Sequence, residues 1–182
     1  MSDLESMAEE LIVEAARRGD VDSLGMLYRR YYATMVWLAY SVLLDRDLAQ
    51  DAAQQTFVKA CEGLTDLKCP DRFAPWLAAI CRNEAHRLIR ARKQLVGRRQ
   101  ANEIEVTHPV HDNDDHSAVR AAINGLDPMY REIVILHYYN GMDYRRIAAT
   151  LGIGGHTVRG RLFRARRQIE ETLRKNGFPE GS

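Results

Sequence analysis

DYRRIAATLGIGGHTVRGRLFRARR, residues 143–167, is the stretch whose reading decides the fold. Asp143 can cap a first helix in which Ile147, Ala148 and Leu151 share one face. Gly152 can take the left-handed conformation that closes a helix, and Gly154 and Gly155 let the chain turn at once into a second one. There Val158, Leu162, Ala165, Ile169 and Leu173 recur at spacings of three or four, so they form one apolar stripe that must pack inward. His156, Gly160, Phe163, Arg164 and Arg167 lie opposite it, with Arg159 and Arg166 on the flank. A basic helix alone is most simply a solvated face. A short helix, a tight glycine turn and a longer basic helix in succession predict a helix-turn-helix, with its second helix laid against DNA.

Upstream, AVRAAINGL reads as a short helix, and Asp127-Pro128 caps another over MYREIVILHYYNG. Leu126, Ile133, Val134, Leu136 and Tyr138 are expected to pack on the helix-turn-helix, making residues 117–182 a small four-helix domain. Residues 100–116 carry a proline, acids and no apolar periodicity, and read as an extended linker. His108, His111 and His116 near Asp112 and Asp114 raise a metal site, but the acidic run lacks the glycine and terminal glutamate of a calcium loop. No metal or other cofactor is expected.

Residues 1–99 read as a first helical domain. Leu4, Met7, Leu11, Ile12 and Ala15 would form the inner side of a helix over 4–18, ended by Gly19. A second helix, capped by Asp20 or Asp22 and running to about 44, would bury Leu24, Leu27, Tyr28, Tyr31, Met35, Leu38 and Val42. Asp45 and Asp47 cap a third, with Leu48, Ala52, Phe57 and Ala60 inward and Gln50, Asp51, Gln54 and Gln55 exposed. A fourth begins at 71 or 72, where Pro75 fits only a first turn. Phe73, Trp76, Leu77, Ile80, Ala85 and Leu88 supply its core side, while Arg82, Asn83, His86, Arg87, Arg90, Arg92 and Lys93 crowd the rest. An aromatic beside interleaved Arg and Asn can stack on unpaired bases and grip phosphate, although a tryptophan so placed is more often core. The fold class expected is all-α: two small helical domains joined by a flexible acidic linker, the second containing the helix-turn-helix.

The net charge of +1 hides an uneven distribution. Residues 1–66 carry six basic and twelve acidic side chains, 81–100 seven and one, 101–119 none and five, and 141–175 nine and three. Two basic blocks therefore flank an acidic one, which suits contact with DNA at two separated places. Cys61, Cys69 and Cys81 match no common zinc spacing, and no apolar run reaches membrane-spanning length, so reduced thiols in a cytoplasmic protein without membrane insertion are expected. GIGG at 152–155 lacks the preceding strand and the Lys-Ser or Lys-Thr of a phosphate loop, and no catalytic triad or carboxylate pair stands out. The chain does not read as an enzyme.

The order and wording of AQDAAQQTFVKA (49–60), FAPWLAAICRNEAHRLIRARK (73–93) and the segment 126–173 resemble the extracytoplasmic-function (ECF) group of the sigma-70-type RNA polymerase sigma factors. The resemblance implies that Asp47, Gln50, Asp51, Gln54, Gln55 and Phe57 bind the clamp of the polymerase's largest subunit. It implies that Trp76, Arg82, Asn83, Arg87 and Arg90 read and open the −10 element. Arg145, Arg146, His156, Thr157, Arg159, Arg161, Arg164, Arg166 and Arg167 would bind the −35 element, with the second domain near the polymerase flap. His156 and Arg159 would read base edges, and Arg164, Arg166 and Arg167 would hold phosphates. The linker would enter a polymerase channel, and an anti-sigma factor is an implied partner. The chain departs from the family pattern at Gln55, where an acid is common, at Gly154, Gly155 and His156, and at Gly160, where a serine is frequent. A stand-alone helix-turn-helix regulator with a helical sensing domain is the alternative.

Overall fold

Asp20 starts the longest part of the first core. Its carboxylate accepts from the Ser23 backbone N–H at 3.0 Å, and the preceding Gly19 supplies φ = +90°. In this computed structural model, residues 3–97 and 114–176 are described. Helices α1 (Asp3–Arg17), α2 (Val21–Leu43), α3 (Arg46–Gly63) and α4 (Phe73–Gly97) form the first bundle, with two 3₁₀ turns, Leu64–Asp66 and Pro70–Arg72, leading into α4. The second holds α5 (Asp114–Asn124), α6 (Pro128–Val134) with a π-helical turn at Ile135–Tyr139, α7 (Tyr144–Leu151) and α8 (Gly155–Lys175). Among the described residues there is no strand, and the all-α, two-cluster architecture is as expected.

The centre of the first bundle is where α3 meets α2 and α4. Asp45 caps α3 by accepting from the Leu48 N–H at 3.1 Å. From there Ala49, Ala52, Ala53, Thr56 and Ala60 turn inward, and the Thr56 hydroxyl bonds back to the Ala52 carbonyl at 2.7 Å. These small side chains let α3 approach Met35, Leu38 and Leu77, all fully buried. Leu48 and Phe57, expected inside, are only half-buried, because the alanine ridge takes the inner position. Gln50, expected outside, is half-buried.

Three further expectations are corrected. Helix α1 turns Glu9, Val13 and Ala16 inward and leaves Met7 and Leu11 57% and 67% exposed. The reason is polar: Glu9 accepts from the buried Tyr31 hydroxyl and pairs with Arg30 at 3.1 Å, which fixes the rotation of the helix. Tyr28 also lies outside, stacked on Tyr32 at 4.9 Å and against Phe57 at 4.8 Å. In the second bundle Leu126, Ile133, Val134 and Leu136 are buried as expected, but Tyr138 is exposed and Ile135 takes its place in the core. The wide turn at Ile135–Tyr139 causes this, since the Asn140 N–H reaches back five residues to the Ile135 carbonyl at 3.1 Å. Helix α5 begins at Asp114, so residues 114–116 of the acidic stretch are helical. Residues 100–113, with His108 and His111, lie outside the described residues.

Glu84 of α4 is buried and accepts from Lys59 Nζ of α3 at 2.5 Å and from Arg87 Nε at 2.8 Å. Burial alone would push its carboxyl up, but Lys59 and Arg87 outweigh burial and hold it below its ordinary 4.5. A depressed folded value means stability that is present above about pH 4.5 and lost as pH falls through the folded value. Glu84→Gln is expected to cost about 1–2 kcal/mol at neutral pH. In urea titrations the gap from the parent should narrow progressively as pH falls below about 4.5; a gap constant with pH would refute the assignment.

Candidate nucleic-acid interface

In the helix-turn-helix, Asp143 caps α7 by accepting from the Arg146 N–H at 2.7 Å. Gly152 closes α7 at φ = +66°, and its N–H donates to the Ala148 carbonyl. Ile147, Leu151, Val158, Leu162 and Ala165 are buried, with Ile169 and Leu173 half-buried at the end of the same stripe. On the opposite side His156, Arg159, Phe163, Arg164, Arg166 and Arg167 are exposed, while Thr157, Gly160 and Arg161 are half-exposed; Arg145 and Arg146 are exposed on α7. The expected basic face therefore exists as one surface. Phe163 stands in its middle, 63% exposed.

The residues expected to act together on α4 do not share one free surface. Asn83 and Arg90 are exposed, and Arg87 is engaged with Glu84. Trp76 is half-buried, its ring 5.9 Å from that of Phe73 and packed beside Gly63. Arg82 Nε donates to Glu132 Oε1 of α6 at 2.7 Å. On α3, Asp47, Asp51, Gln54 and Gln55 are exposed and contiguous with Gln50, whereas Phe57 turns away toward the α2 tyrosines. Cys69 is exposed and Cys81 buried, its thiol pushed up to about 12 chiefly by burial, so the two are unlike in reactivity.

Residues 27–94 match the family Sigma-70 region 2, and residues 116–169 match Sigma-70, region 4. The two matches together span most of the chain and both bundles. The chain belongs to the ECF group of the sigma-70 family. This sigma factor is 28% identical over 180 residues to the RNA polymerase sigma-H factor of Pseudomonas aeruginosa, covering 91% of this chain and 93% of that one. It is 28% identical over 158 residues to the ECF RNA polymerase sigma factor SigE of Mycolicibacterium smegmatis, covering 82% and 61%. The sigma factor RpoE of Bartonella quintana, solved in complex with the anti-sigma factor NepR, superposes with a TM-score of 0.60 at 27% identity, covering 85% of this chain and 98% of that one.

Two residues of this sigma factor carry more than their sequence context implies. Tyr138, expected in the core, instead accepts through its hydroxyl from Arg166 Nε at 2.8 Å, and the guanidinium lies 5.7 Å from its ring centre. This pre-sets one cation of the basic face. Phe163 is visible in the sequence as an apolar residue opposite an apolar stripe, which is itself a signal of contact. No helix among the described residues is long and apolar enough to cross a membrane.

Proposed function

We propose that this sigma factor acts in the cytoplasm without chemistry of its own, joining core RNA polymerase to a two-part promoter. The α3 face of Asp47, Gln50, Asp51, Gln54 and Gln55 docks on the clamp of the largest subunit. Helix α8 enters the major groove of the −35 element, and α4, through Asn83, Arg82, Arg87, Arg90 and Trp76, captures unstacked −10 bases so that binding energy drives strand separation. An anti-sigma factor is a further partner, by analogy with the NepR complex. The observation that carries the reading is the exposed cationic face of α8 on a chain whose two bundles match regions 2 and 4 in that order.

On that face His156, Arg159 and Phe163 are the base-edge readers, Phe163 by apolar contact with a thymine methyl. Arg164, Arg166 and Arg167 are phosphate contacts, with Arg145, Arg146, Thr157 and Arg161 supporting them. Transcripts mapped in vitro with core polymerase and genomic DNA should start from a common promoter class, and footprints should require core. A footprint by the free chain as a dimer would favour a stand-alone regulator instead. Arg159→Ala should cost about 1–3 kcal/mol of promoter binding and relax a single base position. An unchanged promoter profile for that variant would remove Arg159 from the readers.

A further inference from the structure

Helix α2 carries two apolar stripes, and only one of them faces the core. Leu27, Tyr31, Met35 and Leu38 are buried. Tyr32, Val36 and Tyr40, four residues apart, form the other stripe with Trp37 beside them, and all four are half-buried. This second stripe walls a cavity of about 430 Å³, which is completed by Tyr139 of the π-helical turn, Arg120 of α5 and Arg46 of α3. The Trp37 ring stands perpendicular to that of Tyr40 at 5.9 Å and tilted against that of Tyr139 at 5.5 Å. Burial pushes the Tyr40 hydroxyl above its ordinary value and Arg120 opposes the shift, so this guanidinium stands within electrostatic reach of the ring's polar end. Among the described residues no carboxylate lines the cavity, and neither Arg46 nor Arg120 forms an ion pair. The nearby Asp45 is already engaged, by the Leu48 N–H at 3.1 Å and by Arg92 at 3.7 Å.

We propose that this cavity is a binding site for a flat aromatic carboxylate of one or two rings, its rings among Trp37, Tyr40 and Tyr139 and its carboxylate on Arg46 and Arg120. The volume lies within the range of small-molecule sites, which are apolar cavities with a few polar groups that fix orientation. Aromatic walls set at angles to one another accept a flat ring edge-on or offset. A guanidinium presents paired N–H donors that match the two oxygens of a carboxylate. Two cations with no acid between them select the charge of the guest: a neutral ring leaves them unanswered and a cationic one is repelled. Gln50 lines the same cavity and belongs to the α3 face that docks on the polymerase clamp, so an occupied cavity and the clamp compete for it. That consequence rests on the proposed function; the binding does not.

The test is calorimetric titration of the full chain at low salt, without polymerase or DNA, using three probes of one shape: 1-naphthoate, 1-naphthalenemethanol and 1-naphthylmethylammonium. The naphthoate should bind once per chain, about tenfold more tightly than the alcohol, and the ammonium should bind weakest. Arg46→Gln and Arg120→Gln change exposed and half-exposed side chains, so both variants should fold. Each should weaken the naphthoate about threefold to tenfold and leave the alcohol unchanged, and the two together should erase the preference. Ala33→Trp, which fills the cavity from an exposed position of its lining, should abolish binding of all three probes. Equal affinity for naphthoate and alcohol overturns the proposal by reducing the site to an apolar crevice. Naphthoate binding that neither arginine variant weakens, or no binding at millimolar probe, overturns it as well. With naphthoate at about twice its Kd, association of the parent with core polymerase should weaken about threefold, and that of the double arginine variant should not change. Equal association with and without the probe overturns the competition and leaves the site standing. A factor that does not bind core polymerase at all would sink the proposed function and leave the titration as it is.

Discussion

Leu162→Ala should cost about 3–4 kcal/mol and unfold the second bundle while leaving the first intact. Leu162 is 1% exposed in the middle of the α8 stripe, between the fully buried Val158 and Ala165. Helix α8 packs on α5, α6 and α7, so a cavity in its stripe weakens the whole bundle, and a helical unit of this size has only about 3–5 kcal/mol to lose. Urea titration should show the first bundle unfolding in its own transition, with that of the second bundle missing or moved to low denaturant. Because α3 belongs to the other bundle, the variant should still bind core polymerase and yet fail on promoters that need the −35 element. A single unchanged transition would mean that the stripe does not hold the helix-turn-helix.

Gly152→Val should come second, at about 3 kcal/mol. The backbone there has φ = +66°, a region in which a β-branched side chain is strained, and the added Cβ would lie 3.1 Å from Pro75 Cβ. One part of the cost is local to the α7–α8 turn and the other arises only while the bundles touch. Gly152→Ala keeps the conformational part with the smallest side chain and should cost about 1–2 kcal/mol. The two effects are separable by thermal melts of both variants in the parent and in a Pro75→Gly background, in which the valine should lose its excess over alanine. Equal penalties in both backgrounds would show that Pro75 takes no part.

The helix-turn-helix is legible in the sequence because each step in it is local: a cap three residues from its amide, a glycine at the end, a stripe at helical spacing. Glu9 is not, since an apolar-stripe reading turns Met7 and Leu11 inward and cannot foresee a carboxylate buried to meet the Tyr31 hydroxyl 22 residues away. The alanine ridge of α3 is half legible. Periodicity places Ala52 and Ala60 inside, but it also gives the core to larger neighbours such as Phe57 because area alone favours them, whereas close approach of helices favours the smallest side chains. For the site, the composition of both basic faces is in the sequence. What is missing there is the pairing of Arg82 with Glu132, which joins residues 50 positions apart and depends on how the bundles are placed. Tyr138 is misplaced for a different reason: a five-residue winding has no periodic signature that residues alone display.

That winding sets an angle. Through Ile135–Tyr139 the helix takes up one residue more per turn than usual, so the chain beyond Tyr139 is rotated against Glu132 by roughly the 100° that one residue contributes. Tyr138, Tyr139 and Asn140 owe their directions to this phase: toward Arg166, toward Trp37 and toward Thr34. Losing one residue here would restore ordinary winding and swing all three off their partners, although none of them had been changed. In this stretch residue number is a mechanical setting, and length is under tighter physical constraint than identity.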